Sequence, residues 1–73
     1  MSVFDELFYV NLQAQPNGDH EVHRGSCDHL PLDSLLIYLG LFPSPLAAIN
    51  AAEKLYPQVN GCILCCAPSD RPV

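Results

Sequence analysis

The sequence predicts an α+β fold: a small, mainly antiparallel sheet of three to four strands, hairpin first, with one helix packed on it in the order β-β-β-α-β. Three observations predict it. Phe8, Val10, Leu12 and Ala14 alternate with Tyr9, Asn11, Gln13 and Gln15, the period of a strand with one wet face. Pro16-Asn17-Gly18 then interrupts the alternation with turn chemistry, so that the chain returns beside itself. Further on, Ser44-Pro45 opens an apolar run at helical spacing that stops before Pro57.

In the hairpin, proline suits the first central position of a type I turn, asparagine the second, and glycine the left-handed position after them, as in a three-residue loop with a bulge. Such a loop sets Gln15 opposite Asp19. Counting outward places Leu12 against Val22 on the core side, with Gln13 against Glu21 and Asn11 against His23 on the other. A two-residue Asn-Gly turn would set Val22 against Gln13 and mix the faces.

Beyond Leu30-Pro31, the stretch Leu36-Ile37-Tyr38-Leu39-Gly40-Leu41-Phe42 is apolar on both faces, which places it centrally in the sheet. Ser44 offers an oxygen to an orphan amide, and Pro45 lacks only a donor that the first helical position leaves unused. The helix is expected from Leu46 to about Leu55, burying Leu46, Ile49, Ala52 and Tyr56, while Ala47, Ala48 and Ala51 keep it thin. Asn60-Gly61 turns the chain into a last strand, Cys62 to Ala67, apolar throughout. The whole is one domain, 1–73, with residues 1–6, the Asp28 to Leu35 stretch and residues 68–73 expected to be flexible.

A domain of 73 residues buries only about 60% of the surface its unfolded chain exposes, so a metal, a cross-link or a partner would add needed stability. At 49% hydrophobic and 15% charged, the composition is that of a folded core rather than a disordered tail. Arg24, Lys54 and Arg71 are the only strong bases against eight acids, a net charge of −5 with no basic stripe to neutralise phosphates. Nucleic acid and anionic membrane are therefore poor partners. The acids are scattered, which also argues against a DNA-mimicking surface. Asp5 and Glu6 stand where a signal peptide needs lysines, and no apolar run approaches the roughly 18 residues of a membrane span. A soluble, cytoplasmic protein is expected.

The densest chemistry is Cys62-Ile63-Leu64-Cys65-Cys66, together with Cys27. In a straight strand Cys62 and Cys65 point to opposite faces and cannot chelate one ion unless the chain turns there. Strand geometry thus favours cysteines as small buried core residues, since free cysteine is among the most buried residue types. The second reading is a tetrahedral zinc site built from Cys62, Cys65 or Cys66, Cys27, and one of His20, His23 or His29. Redox catalysis comes third, because no helix follows the thiols to activate one of them. In an oxidising compartment Cys27 would instead bridge to Cys62 or Cys66.

His20-Glu21-Val22-His23 lacks the three-residue spacing of a metalloprotease motif, and on a strand its two rings point to opposite sides. His23 reads plainly as a solvated strand residue across from Asn11. Its functional reading is a polar binding face made of Tyr9, Asn11, Gln13, Glu21 and His23. There is no serine-nucleophile motif, no phosphate-binding glycine loop and no carboxylate pair the sequence can place, so no enzymatic activity is expected.

The strings Phe8 to Gln15, Gly18-Asp19-His20-Glu21-Val22-His23, Cys27, Leu30-Pro31, Tyr38 to Phe42 and Tyr56 to Cys62 resemble a family of small uncharacterised bacterial proteins with a Cys-rich C-terminus. The resemblance spans residues 8 to 66 and implies no activity. At the tail, Ala67-Pro68-Ser69-Asp70 stands where that family carries further cysteine and histidine, which removes candidate ligands. The segment Tyr38 to Ala52 also resembles the strand-to-helix step of small nucleic-acid-binding domains, though without their arginines.

The function expected is that of a small non-enzymatic interaction protein, acting through a protein partner or a homodimer surface. One short helix covers one face of the sheet, and a second layer must come from elsewhere. The alternatives are a zinc-binding or thiol protein, and a small inhibitor carried by a mobile element.

Overall fold

Where the backbone groups of residues 11 to 20 go decides how the sheet begins. In the computed structural model, which describes residues 5–66, strand β1 (Glu6–Asn11) and strand β2 (His20–Arg24) flank the expected turn. The Gly18 N–H donates to the Gln15 carbonyl at 2.7 Å and the Gln15 N–H to the Asp19 carbonyl at 2.8 Å, with Gly18 at φ 95°. That left-handed backbone is one only glycine adopts at little strain. The register farther out is not the expected one. Val10 faces Val22, Tyr9 faces His23 and Phe8 faces Arg24, two residues away from the Leu12–Val22 pairing.

The reason is local competition for hydrogen bonds. The Asn11 side chain accepts the Gln13 N–H at 2.9 Å, and the Leu12 N–H donates to the Leu35 carbonyl at 2.7 Å. Residues 12–14 therefore leave the β2 ladder. A slip of two residues preserves which face each side chain occupies, so Val22 stays on the core side.

After a 3-10 turn at Asp33–Leu35, strand β3 (Leu36–Phe42) pairs with β1, and strand β4 (Val59–Gly61) pairs with β2. The sheet order is β3-β1-β2-β4, antiparallel except for the parallel β2–β4 pair, so the α+β architecture holds with a mixed sheet. The apolar strand β3 lies at an edge, not at the centre. A bulge explains its misleading pattern. Phe8 faces Gly40 and Tyr9 faces Tyr38, which leaves Leu39 as an extra residue, and Gly40 takes φ 130°. The bulge changes the phase of the strand, so Ile37, Leu39 and Phe42 all pack against the core although an unbroken strand would divide them between two faces.

Helix α1 (Pro45–Ala52) starts as its sequence dictates: the Ser44 Oγ accepts the Ala47 N–H at 3.2 Å and Pro45 occupies the first turn. It ends three residues earlier than expected, with looser turns up to Tyr56, whose N–H donates to the Ala52 carbonyl at 3.1 Å. The buried face is Pro45, Ala48, Ile49 and Ala52, while Leu46 is 51% exposed rather than part of the stripe. The helix packs on all four strands. Since β3 and β4 both run antiparallel to β1, α1 is a crossover that carries the chain over the central pair from one edge to the other.

The core beneath it is Phe8, Val10, Val22, Ala48, Ile49 and Ala52, joined by Cys62 and Cys66. The expected strand from Cys62 to Ala67 is absent up to Cys66. The ladder ends at Gly61 and residues 63–66 form a turn, while Ala67 and residues 68–73 lie outside the described residues. The expected flexible start also lies outside them except for Asp5 and Glu6, and Glu6 pairs with Phe42. Among the described residues no helix is long and apolar enough to cross a membrane.

Candidate metal centre

The end of the parallel β2–β4 ladder brings the site together. Val22 faces Gly61, so the next residues, His23 and Cys62, lie side by side, both of them buried. The Cys62 N–H donates to the Val22 carbonyl at 2.8 Å, extending the ladder by one bond. The chain then coils, with the Cys66 N–H donating to the Cys62 carbonyl at 2.8 Å. In such a helical turn residues three apart face the same way, so Cys62 and Cys65 converge. From β2, a tight turn in which the Cys27 N–H donates to the Arg24 carbonyl at 3.1 Å brings Cys27 back to the same place.

His23, Cys27, Cys62 and Cys65 thus offer four ligand atoms that all lie within 4.8 Å of one another, a group able to hold a metal ion. The Sγ atoms of Cys27 and Cys62 are 3.8 Å apart. Thiolates about 2.3 Å from a tetrahedral ion stand about 3.8 Å from each other, so this edge already has the required length.

His23 supplies the independent sign of an unfilled chemical need. Its side chain is 2% exposed, and neither ring nitrogen makes a hydrogen bond. Glu21 Oε1 comes within 3.2 Å of Nε2 without completing one. Burial lowers the His23 pKa, and the Glu21 carboxylate only partly opposes this. The imidazole is thereby held in the neutral form a metal requires. Burial pushes the Cys27 thiol up, and the Cys65 thiol up to about 12, against the pull of the Arg24 backbone N–H. A bound cation would reverse that penalty by pairing each thiolate with positive charge.

Arg24 holds the turn in position, a role the sequence reading missed. Its Nε donates to the Cys65 carbonyl at 2.7 Å and its backbone N–H to the Cys65 Sγ at 3.3 Å. The guanidinium is also paired with Glu6 and lies 5.7 Å from the centre of the Phe8 ring. Hydrogen bonds to a ligating sulfur orient it and tune its basicity. The position of Arg24 across from Phe8 depends on the slipped hairpin register, so no local motif announced it.

The remaining candidates go elsewhere. Cys66 turns into the core at 0% exposure, its Sγ 3.5 Å from the Val22 carbonyl, although it also lies 3.5 Å from the Cys65 Sγ. His20 stacks on Tyr56 with ring centres 3.6 Å apart, and its Nδ1 lies 3.0 Å from the Asn11 carbonyl. His29 is exposed in its loop. The polar face of Tyr9, Asn11, Gln13, Glu21 and His23 is only partly assembled. Gln13 has left the ladder and is exposed, and His23 is not a solvated residue opposite Asn11 but a buried one opposite Tyr9. Tyr9 packs on Tyr38 at 5.7 Å, and Glu21 is engaged by Gln15 at 2.9 Å. No family model matches the chain, and neither does any curated protein or solved structure.

Proposed function

We propose that this chain is a small zinc-stabilised interaction domain, with His23, Cys27, Cys62 and Cys65 as the ligands of one ion. The observation that carries the reading is the buried His23 ring, without a hydrogen bond at either nitrogen and with only the Glu21 carboxylate near Nε2, set among three cysteines whose sulfurs lie within ligand reach of it. Three thiolates and an imidazole suit zinc above the harder divalent cations, and four protein ligands make a closed, structural set with no open position for a substrate. The ion would tie the end of β2 to the turn after β4, two segments far apart in sequence, in a chain too small to rely on its core alone. A reducing, cytoplasmic compartment fits the same reading, since it keeps the thiols free to ligate.

Native mass spectrometry of protein purified under reducing conditions tests the assignment. One zinc per chain is expected, lost on denaturation. Cys65→Ser should abolish it, whereas Cys66→Ala should retain it at a stability loss of about 1 kcal/mol, the order expected for one small buried group. A folded, metal-free chain whose melting is indifferent to chelator would overturn the proposal.

A second reading concerns the other face of the sheet. Leu7 faces Leu41 and Tyr9 faces Tyr38 on the side that α1 does not cover, and Leu7, Tyr38 and Leu41 are exposed. These residues support a protein-binding surface, which a second copy of the chain would cover most simply by pairing about the uncharged edge strand β3.

A further inference from the structure

The metal reading leaves open what happens to the site when thiols are oxidised. Resting on that reading, we infer that Cys27 and Cys62 are a reversible thiol–disulfide pair, whose oxidation by a peroxide releases the metal while keeping the same two segments joined. Their sulfurs are 3.8 Å apart, and Cys27 is the more accessible of the two, half-buried where Cys62 is 2% exposed. Of the alternative partners, Cys65 also lies within 4.8 Å but its sulfur is held by the Arg24 backbone N–H at 3.3 Å, Cys66 is held on the core side by the Val22 carbonyl, and a Cys65–Cys66 bond would close a strained ring between adjacent residues.

The chemistry balances in two steps. The Cys27 thiolate attacks hydrogen peroxide, the O–O bond breaks, one oxygen stays as the sulfenic acid and the other leaves as hydroxide. The Cys62 thiolate then attacks the Cys27 sulfur, the S–S bond forms and the second oxygen leaves as hydroxide. Two thiolates are oxidised by two electrons and one peroxide is reduced. The ion is left with His23 and Cys65 alone, too few ligands to hold it against a chelator.

The bond links positions 35 residues apart, from the loop after β2 to the turn after β4. A cross-link over a loop of that length restricts the unfolded chain much as the metal does, so the oxidised form stays folded. Metal and disulfide are thus alternative staples at one place in the fold. The two states differ in the charge and shape that they present around the exposed Ile63 and Leu64.

The test begins with the zinc content of the reduced chain, continues with stepwise addition of hydrogen peroxide beside a chromogenic chelator, and ends with a disulfide map from peptides prepared without reductant. One zinc released for every two thiols lost, a Cys27–Cys62 linkage, and recovery of zinc binding after reduction are expected. Cys66→Ala should behave in the same way. A Cys27–Cys65, Cys62–Cys65 or Cys65–Cys66 linkage, zinc retained after the thiols are lost, or a block by Cys66→Ala would overturn the inference. If the reduced chain carries no zinc, the metal reading fails and the release step with it. The disulfide map on that sample still decides the pairing.

Discussion

At the scale of single residues, His23 is the most informative side chain in the molecule. A buried imidazole with no hydrogen bond at either nitrogen lowers the stability of the chain unless something occupies it, by about 1–3 kcal/mol for an unsatisfied buried group. The His23→Met substitution should therefore change sign with metal. In excess chelator the variant is expected to be more stable than the parent by about 1 kcal/mol, and with zinc present it should be the less stable of the two. Denaturant titrations in the two conditions check this, and a substitution neutral in both would leave His23 as an ordinary core residue. Cys65 and Cys66 make a related point as neighbours: because a turn, not a strand, carries them, Cys65 joins Cys62, three residues back, while Cys66 turns into the core.

At the scale of elements, the bulge in β3 decides the packing. Gly40 at φ 130° lets Leu39 be skipped by the ladder, and the consequence is that Ile37, Leu39 and Phe42 all reach the core. Gly40→Ala forces a side chain into that backbone conformation and should destabilise by about 1–2 kcal/mol, somewhat more than Ser44→Ala, for which a lost helix cap amounts to about 1 kcal/mol. Thermal melts of the two variants in saturating zinc measure the comparison. Equal, negligible losses would mean that neither the bulge nor the cap shapes the stability. The slipped hairpin is the other element whose details matter. Asn11 and Leu12 spend their hydrogen bonds locally and on Leu35, and this brings Arg24 opposite Phe8, within reach of Glu6 and Cys65.

At the scale of the whole molecule, one helix covers one face of a four-stranded sheet, and among the described residues the cysteine cluster gathers at its β2–β4 end. Toward β3 the surface is Leu7, Tyr9, Tyr38 and Leu41 beside an edge strand with no charged residue. Edge strands of that kind pair readily unless charge or proline prevents it. Sedimentation of the zinc-loaded chain is expected to show a dimer that Leu41→Lys converts to monomer with zinc content unchanged. A monomer at all concentrations would remove self-association and leave the face to a different protein.

The sequence by itself determined the elements whose physics is local. Pro16-Asn17-Gly18 closes a turn, Ser44-Pro45 starts a helix, and alternation along Phe8 and Val10 builds a strand, because each depends on hydrogen bonds and side-chain spacing within a few residues. The α+β class follows from their order. Only the tertiary structure decided the rest. The apolar run of β3 lies at the edge, and a bulge invisible in composition turns Ile37, Leu39 and Phe42 to the core while Tyr38 and Leu41 stay exposed. The Cys-x-x-Cys run, by its bulky strand-favouring residues, reads first as a buried strand, and the parallel ladder ending at Gly61 selects the turn instead. His23 and Cys27 then meet Cys62 and Cys65 through a contact between segments more than thirty residues apart, a proximity that no local pattern encodes.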